Sequence, residues 1–133
     1  MPARILVIED DPNTMELMTY LLTAFGHTPL TAGNGVAGVA LASAEQPDLI
    51  VCDIQLPELD GYGVARALAE DPRLSDIPLI AVTALAMVGD REKILAVGFD
   101  GYMSKPIIPE TFVEQLDCYL PAALHARRLD IKE

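Results

Sequence analysis

Three stretches of the chain carry apolar residues without a polar break: Ile5-Leu6-Val7-Ile8, Leu49-Ile50-Val51-Cys52 and Leu79-Ile80-Ala81-Val82. Runs of this length read as short strands buried on both faces. Each stops on polar residues: Glu9-Asp10, Asp53 and Thr83. Two weaker strands are expected. One runs from Thr28 to Ala32, where Pro29 argues for an edge position. The other runs from Gly101 to Ser104 and ends on Lys105-Pro106.

Between the strands the apolar spacing changes. Met15, Met18, Leu22 and Phe25 recur at helical spacing, Asp11-Pro12 forms a helix start, and Gly26 closes the segment. Asn34 can cap a helix of small residues reaching about Ala44, though Gly38 weakens it. Gln55 to Gly61 is punctuated by Pro and Gly and reads as a loop, followed by a helix over Val64 to Glu70. A further helix is expected over Gly89 to Val97, stopped by Gly98. Pro109 opens the last, with Phe112, Leu116 and Leu120 on one face, until Pro121 kinks or ends it. Strands thus alternate with helices, which implies a parallel α/β sheet covered on both faces. His27, after a helix end, and His125, near the tail, are expected to be exposed.

Composition narrows the picture. A chain of 133 residues, 51% hydrophobic and 22% charged, builds one domain around one core. The expected division is a single unit over 1–124 and a polar tail over 125–133. No apolar run approaches bilayer length and no signal peptide is read at the start. The net charge of −11 argues against a nucleic-acid surface. Two cysteines, Cys52 and Cys118, make no disulfide framework, which fits a reduced cytoplasmic setting.

The chemistry lies at the strand ends. In a parallel sheet those ends share one edge, and that edge is where open α/β folds build their sites. Glu9, Asp10, Asp53, Thr83 and Lys105 would then meet in one cleft. Clustered carboxylates resist ionising beside one another and call for a cation. Lys105 supplies one charge. Oxygen donors without His or Cys suit Mg²⁺, which takes few carboxylates and often accompanies a phosphate. Carboxylate, metal, lysine and hydroxyl are parts suited to phosphoryl transfer, with an aspartate able to serve as nucleophile.

These residues, together with Leu56-Pro57-Glu58-Leu59-Asp60-Gly61 after the third strand, Thr83-Ala84 after the fourth and Lys105-Pro106 after the fifth, resemble the response-regulator receiver domain. This is the CheY-like family of two-component signalling, and the likeness covers roughly residues 4 to 120. It implies a flavodoxin-like, doubly wound sheet of order 2-1-3-4-5. It further implies that Asp53 accepts a phosphoryl group from a phosphohistidine on a sensor histidine kinase or a histidine phosphotransfer protein. Asp10, Asp53 and the backbone carbonyl of Gln55 would bind Mg²⁺ directly, with Glu9 holding metal-bound water. Thr83 and Lys105 would contact phosphoryl oxygens, and Tyr102 would be the switch aromatic. Pro106 would follow a cis peptide bond. Output would be protein binding on the face built from the fourth helix, fifth strand and fifth helix, toward a downstream protein the sequence does not name. Glu9 departs from the commoner Asp of the family. By the same resemblance Gln55 and Leu85 would flank the path of water to the acyl phosphate, and apolar Leu85 predicts slow to moderate self-dephosphorylation.

Other readings carry less. A metal-dependent phosphatase of the haloacid dehalogenase type wants an acid two residues after the first, where Gln55 stands. A nucleotide-binding flavodoxin-like module wants a Gly- or Ser/Thr-rich phosphate loop after the first strand, where Glu9-Asp10-Asp11 stands. A receiver that only docks, without chemistry, does not need Asp53, Thr83 and Lys105 together.

Overall fold

The structure is a computed structural model describing residues 3–84 and 90–124. Five parallel strands form one sheet: β1 Arg4–Ile8, β2 Thr28–Ala32, β3 Leu49–Asp53, β4 Leu79–Thr83 and β5 Gly101–Ser104. Their order is β2-β1-β3-β4-β5. This is the expected doubly wound arrangement, with its topological switch between β1 and β3. Pro29 lies on edge strand β2, where its missing N–H is tolerated.

Five helices link and cover the sheet: α1 Pro12–Ala24, α2 Gly35–Glu45, α3 Gly61–Ala69, α4 Asp90–Ala96 and α5 Phe112–Asp117. The expected single core is instead two, because alternation along each strand sends side chains to both faces of the sheet. Ile5, Val7, Leu49, Val51, Ile80 and Val82 pack with Met18 and Leu22 of α1 and Phe112 and Leu116 of α5. Leu6, Ile8, Ile50, Cys52 and Ala81 pack with Ala42 of α2, Val64 and Leu68 of α3 and Ile94 of α4. β3 and β4 are buried at every position, because helices close both faces over them.

The caps are local. Asp11 accepts the backbone N–H of Thr14 at 3.1 Å, and Asn34 accepts that of Ala37 at 2.8 Å. Asp60 accepts that of Gly63 at 3.0 Å, so α3 starts at Gly61, three residues before the expected Val64. Gly26 and Gly98 end their helices at positive φ, 91° and 120°. α5 is shorter than its apolar spacing suggests: it begins at Phe112 and gives way at Cys118, while Leu120 stays buried beyond it. Leu85, Gly89, His125 and the tail over 125–133 lie outside the described residues.

His27 is not exposed. It is 3% accessible and joins three elements. Arg4 pairs with Thr28 at the start of the β1–β2 ladder, which leaves the N–H of Ala3 just beyond it. His27 Nδ1 accepts that N–H at 2.9 Å. The ring proton then sits on Nε2, which faces Asp117 Oδ1 of α5 at 3.1 Å. The imidazole therefore satisfies a buried donor that the ladder cannot reach. His27→Leu is expected to orphan that N–H and to lower stability by about 1–2 kcal/mol, read as a drop in the urea midpoint at constant m.

Candidate phosphoryl-transfer site

The strand registers bring the polar ends together. Ile8 pairs with Cys52, so Glu9 comes level with Asp53. Asp53 pairs with Val82 and Thr83 with Ser104, so Thr83 and Lys105 follow one step along the same edge. The backbone N–H of Lys105 donates to the carbonyl of Thr83 at 2.8 Å, which ties the β5 end to β4. The Lys105–Pro106 peptide is cis.

Lys105 Nζ lies 3.1 Å from Asp53 Oδ2 and 3.0 Å from Glu9 Oε1. It donates to Glu9 Oε2 at 3.3 Å, and the backbone N–H of Asp11 donates to the same oxygen at 3.0 Å. Oε1 accepts no hydrogen bond, although it is buried and close to the ammonium: the Nζ contact is an ion pair outside hydrogen-bond geometry. Asp53 Oδ1 accepts the backbone N–H of Gln55 at 3.1 Å, which holds the carboxylate at the mouth of the loop. Glu9, Asp53 and Thr83 are buried, Asp10 is exposed, and Lys105 is partly covered.

Burial drives the Glu9 carboxyl above its ordinary range. The Asp11 N–H and Lys105 oppose that rise, and the Asp53 charge adds to it. Burial also works against the Lys105 ammonium, but its hydrogen bonds to Glu9 and Asp53 and the charges of both acids outweigh it, leaving Lys105 above its ordinary value. Burial pushes the neighbouring Cys52 thiol far up, with the Asp53 charge adding, so Cys52 is an inert core residue.

Ligand oxygens of Glu9, Asp10 and Asp53 lie within 4.8 Å of one another. An oxygen-only donor set, with Glu9 Oε1 buried and free of hydrogen bonds, fits a hard divalent cation. Tyr102 pairs with Ala81 and lies two residues before Ser104, on the same sheet face as Thr83. Its half-buried ring packs against the core cluster that includes Ile94 of α4.

All the strand-end residues singled out from the sequence thus gather at one edge. Sequence reasoning overlooked what Gly61 does. A Cβ there would stand 2.7 Å from the carbonyl oxygen of Asp53 and 2.7 Å from Ile54 Cα. The Asp60-Gly61 pair carried the signal, as a cap followed by a residue without a side chain, but it read as turn punctuation.

Comparisons with known proteins agree with this geometry. The family model described as the response regulator receiver domain matches residues 5–117. The polar-differentiation response regulator DivK of Brucella anthropi is 42% identical over 120 residues, which span 90% of this chain and 98% of that protein. The magnesium-coordinated receiver domain of sensor histidine kinase PA1611 from Pseudomonas aeruginosa superposes with a TM-score of 0.82 at 30% identity, covering 90% of this chain and 98% of that one. In that structure the magnesium ion sits in the active-site cleft. Chemotaxis protein CheY4 of Vibrio cholerae shares the fold, with a TM-score of 0.85 at 24% identity over 90% of this chain and all of that one. Among the described residues no helix is long and apolar enough to cross a membrane. The chain belongs to the receiver-domain family of two-component response regulators, whose members act as signalling phosphoacceptors.

Proposed function

We propose that this chain is a phosphorylation-controlled switch in which Asp53 is the phosphoacceptor. The donor is a phosphohistidine on a sensor histidine kinase or a histidine phosphotransfer protein. An Asp53 carboxylate oxygen bonds to phosphorus while the P–N bond breaks, its electron pair remaining on the imidazole nitrogen. Asp10, Asp53 and the backbone carbonyl of Gln55 would hold Mg²⁺, with Glu9 holding metal-bound water, and the ion would supply charge neutralisation for the phosphoryl oxygens. Lys105 and the Thr83 hydroxyl take the remaining phosphoryl oxygens.

The observation that carries this reading is the placement of Lys105 Nζ within 3.1 Å of both Glu9 and Asp53 at the carboxyl edge of the sheet. An open groove of about 500 Å³, lined by Asn13, Thr14, Leu17, Ala84, Lys105, Pro106 and Ile107, adjoins it and gives a donor protein a surface beside the acid.

Output is protein binding on the face of α4, β5 and α5, toward a downstream target. A second groove there, of about 320 Å³, runs from Tyr102 and Met103 to Ile108 and Gln115. Tyr102 is the switch aromatic, coupled to Thr83 across the β4–β5 face. Apolar Leu85 leaves the acyl phosphate poorly served with attacking water, so self-dephosphorylation is slow to moderate. The receiver unit extends over 1–124 with 125–133 as a tail, and the protein works in the cytoplasm, where Cys52 and Cys118 stay reduced.

Incubation with acetyl phosphate and Mg²⁺, followed by intact mass, tests the reading. The expected product carries one labile phosphoryl group and fails to form when the metal is chelated. An unchanged mass, or turnover of a chromogenic phosphate ester, overturns it.

A further inference from the structure

We propose that the outer edge of β2 is an interface between two copies of this chain, which pair antiparallel about Thr31 and join their sheets into one. The pairing uses none of the side chains at the acidic edge and holds whether or not Asp53 is the phosphoacceptor.

β2 closes one end of the strand order, so among the described residues its outer side pairs with no strand. The Thr28 N–H donates to the carbonyl of Ala3 at 2.9 Å, and the Ala32 carbonyl accepts the Glu9 N–H at 3.1 Å. In a parallel ladder both backbone groups of a residue face one side, and successive residues alternate. Thr28, Leu30 and Ala32 therefore face β1, while Pro29 and Thr31 face outward. Thr31 supplies the outward N–H of the strand, since Pro29 has none. A two-fold axis through Thr31 uses its N–H and its carbonyl in both copies and sets Pro29 opposite Gly33. The proline carbonyl then still finds a donor, and a Cβ on Gly33 would meet nothing within 4 Å, which leaves room for a second backbone. An axis through Pro29 would set two residues without an N–H against each other.

Open edges are ordinarily guarded by charge. Between Glu16 and Glu45 the chain has no Asp, Glu, Lys or Arg, although 22% of its residues are charged. That stretch holds α1 from Leu17 onward, all of β2, and α2 up to its last residue, and both helices pack on β2. Thr28 and Thr31 are exposed on the strand. The other open edge, β5, adjoins α4 with its Asp90, Arg91, Glu92 and Lys93. Copies that each carry −11 repel. Salt screens that field beyond about 8 Å under physiological conditions, so local charge decides at contact. The uncharged β2 edge is the side on which this chain can meet itself, and its backbone is self-complementary about a two-fold axis.

The test is sedimentation of the full chain, without Mg²⁺ or phosphate, from about 10 µM to about 1 mM, with amide hydrogen exchange at both ends of the series. A dimer is expected to grow with concentration. The Thr31 N–H is expected to be protected only in that dimer, whereas the Leu30 N–H, turned toward β1, is protected throughout. Added salt is expected to tighten the dimer, because it screens the repulsion between copies and the pairing contains no ion pair. Thr31→Glu sets like charges against each other across the axis and is expected to raise the dissociation constant about tenfold or more. Thr31→Pro, which removes the outward N–H and no bond to β1, repeats the result should the Glu variant fold poorly. Ile108→Glu, at an exposed position before α5, is expected to leave the dimer intact. Monomers at every concentration, a dimer that salt dissolves, a Thr31 N–H that stays unprotected in the dimer, or a dimer split by Ile108→Glu and not by Thr31→Glu overturns the proposal.

Discussion

Asp53→Asn is expected to keep the fold and to abolish phosphoryl uptake. Asn has the shape of Asp, and its amide oxygen can still accept the Gln55 N–H that holds position 53 at the mouth of the loop. What disappears is the anionic oxygen. The amide oxygen is a poor nucleophile, and the ion pair to Lys105 Nζ at 3.1 Å is lost with the charge. Removing the nucleophile from a hydrolase that acts through one lowers the rate by roughly a millionfold, so the labelled species should fall below detection by intact mass. The variant should also relieve Glu9, because the Asp53 charge helps raise that carboxyl. Glu9→Gln and Lys105 variants, by contrast, leave the nucleophile in place and should slow uptake without erasing it. Phosphate on the Asn variant would mean that another acid accepts the group.

This contrast separates what the sequence could say from what it could not. The strand ends were legible because strands covered on both faces are written as continuous apolar runs, and a parallel sheet must deliver such ends to a common edge. β3 and β5 begin and end where the pattern says. Helix limits were less legible. α3 begins early because Asp60 caps it, and α5 ends early although Leu120 continues the apolar spacing; burial alone keeps that residue inside. The meeting of Glu9 with Lys105, 96 residues apart, was legible because both stand at strand ends of a parallel sheet. The contact of His27 with Asp117, 90 residues apart, was not: it leaves no periodicity and arises from where the sheet order sets two chain segments side by side. A lone histidine after a helix therefore read as solvent-facing, and only the ladder's unmet N–H explains its burial.

Gly61→Ala is expected to damage stability and phosphoryl uptake together. The obstacles to a Cβ there are the Asp53 carbonyl oxygen and Ile54 Cα, both 2.7 Å away, and both are backbone. Backbone in a fully buried strand end has no rotamer to adopt, so either α3 backs away or the end of β3 moves. Moving β3 carries the Asp53 carboxylate with it and lengthens its contact to Lys105. Overpacking of this kind costs about 2–3 kcal/mol, and the gain in helix propensity from Gly to Ala at the first turn offsets only part of it. Gly63→Ala makes the control, two residues along the same helix. Its Cβ meets Leu59 Cδ1 at 2.4 Å, the far end of a side chain that can rotate away. There the propensity gain of up to about 1 kcal/mol should roughly cancel the contact, leaving the urea midpoint and the acetyl phosphate rate near wild type. Equal effects from the two substitutions would show that the loop after β3 yields freely, and that the close approach at Gly61 does not hold Asp53 in place.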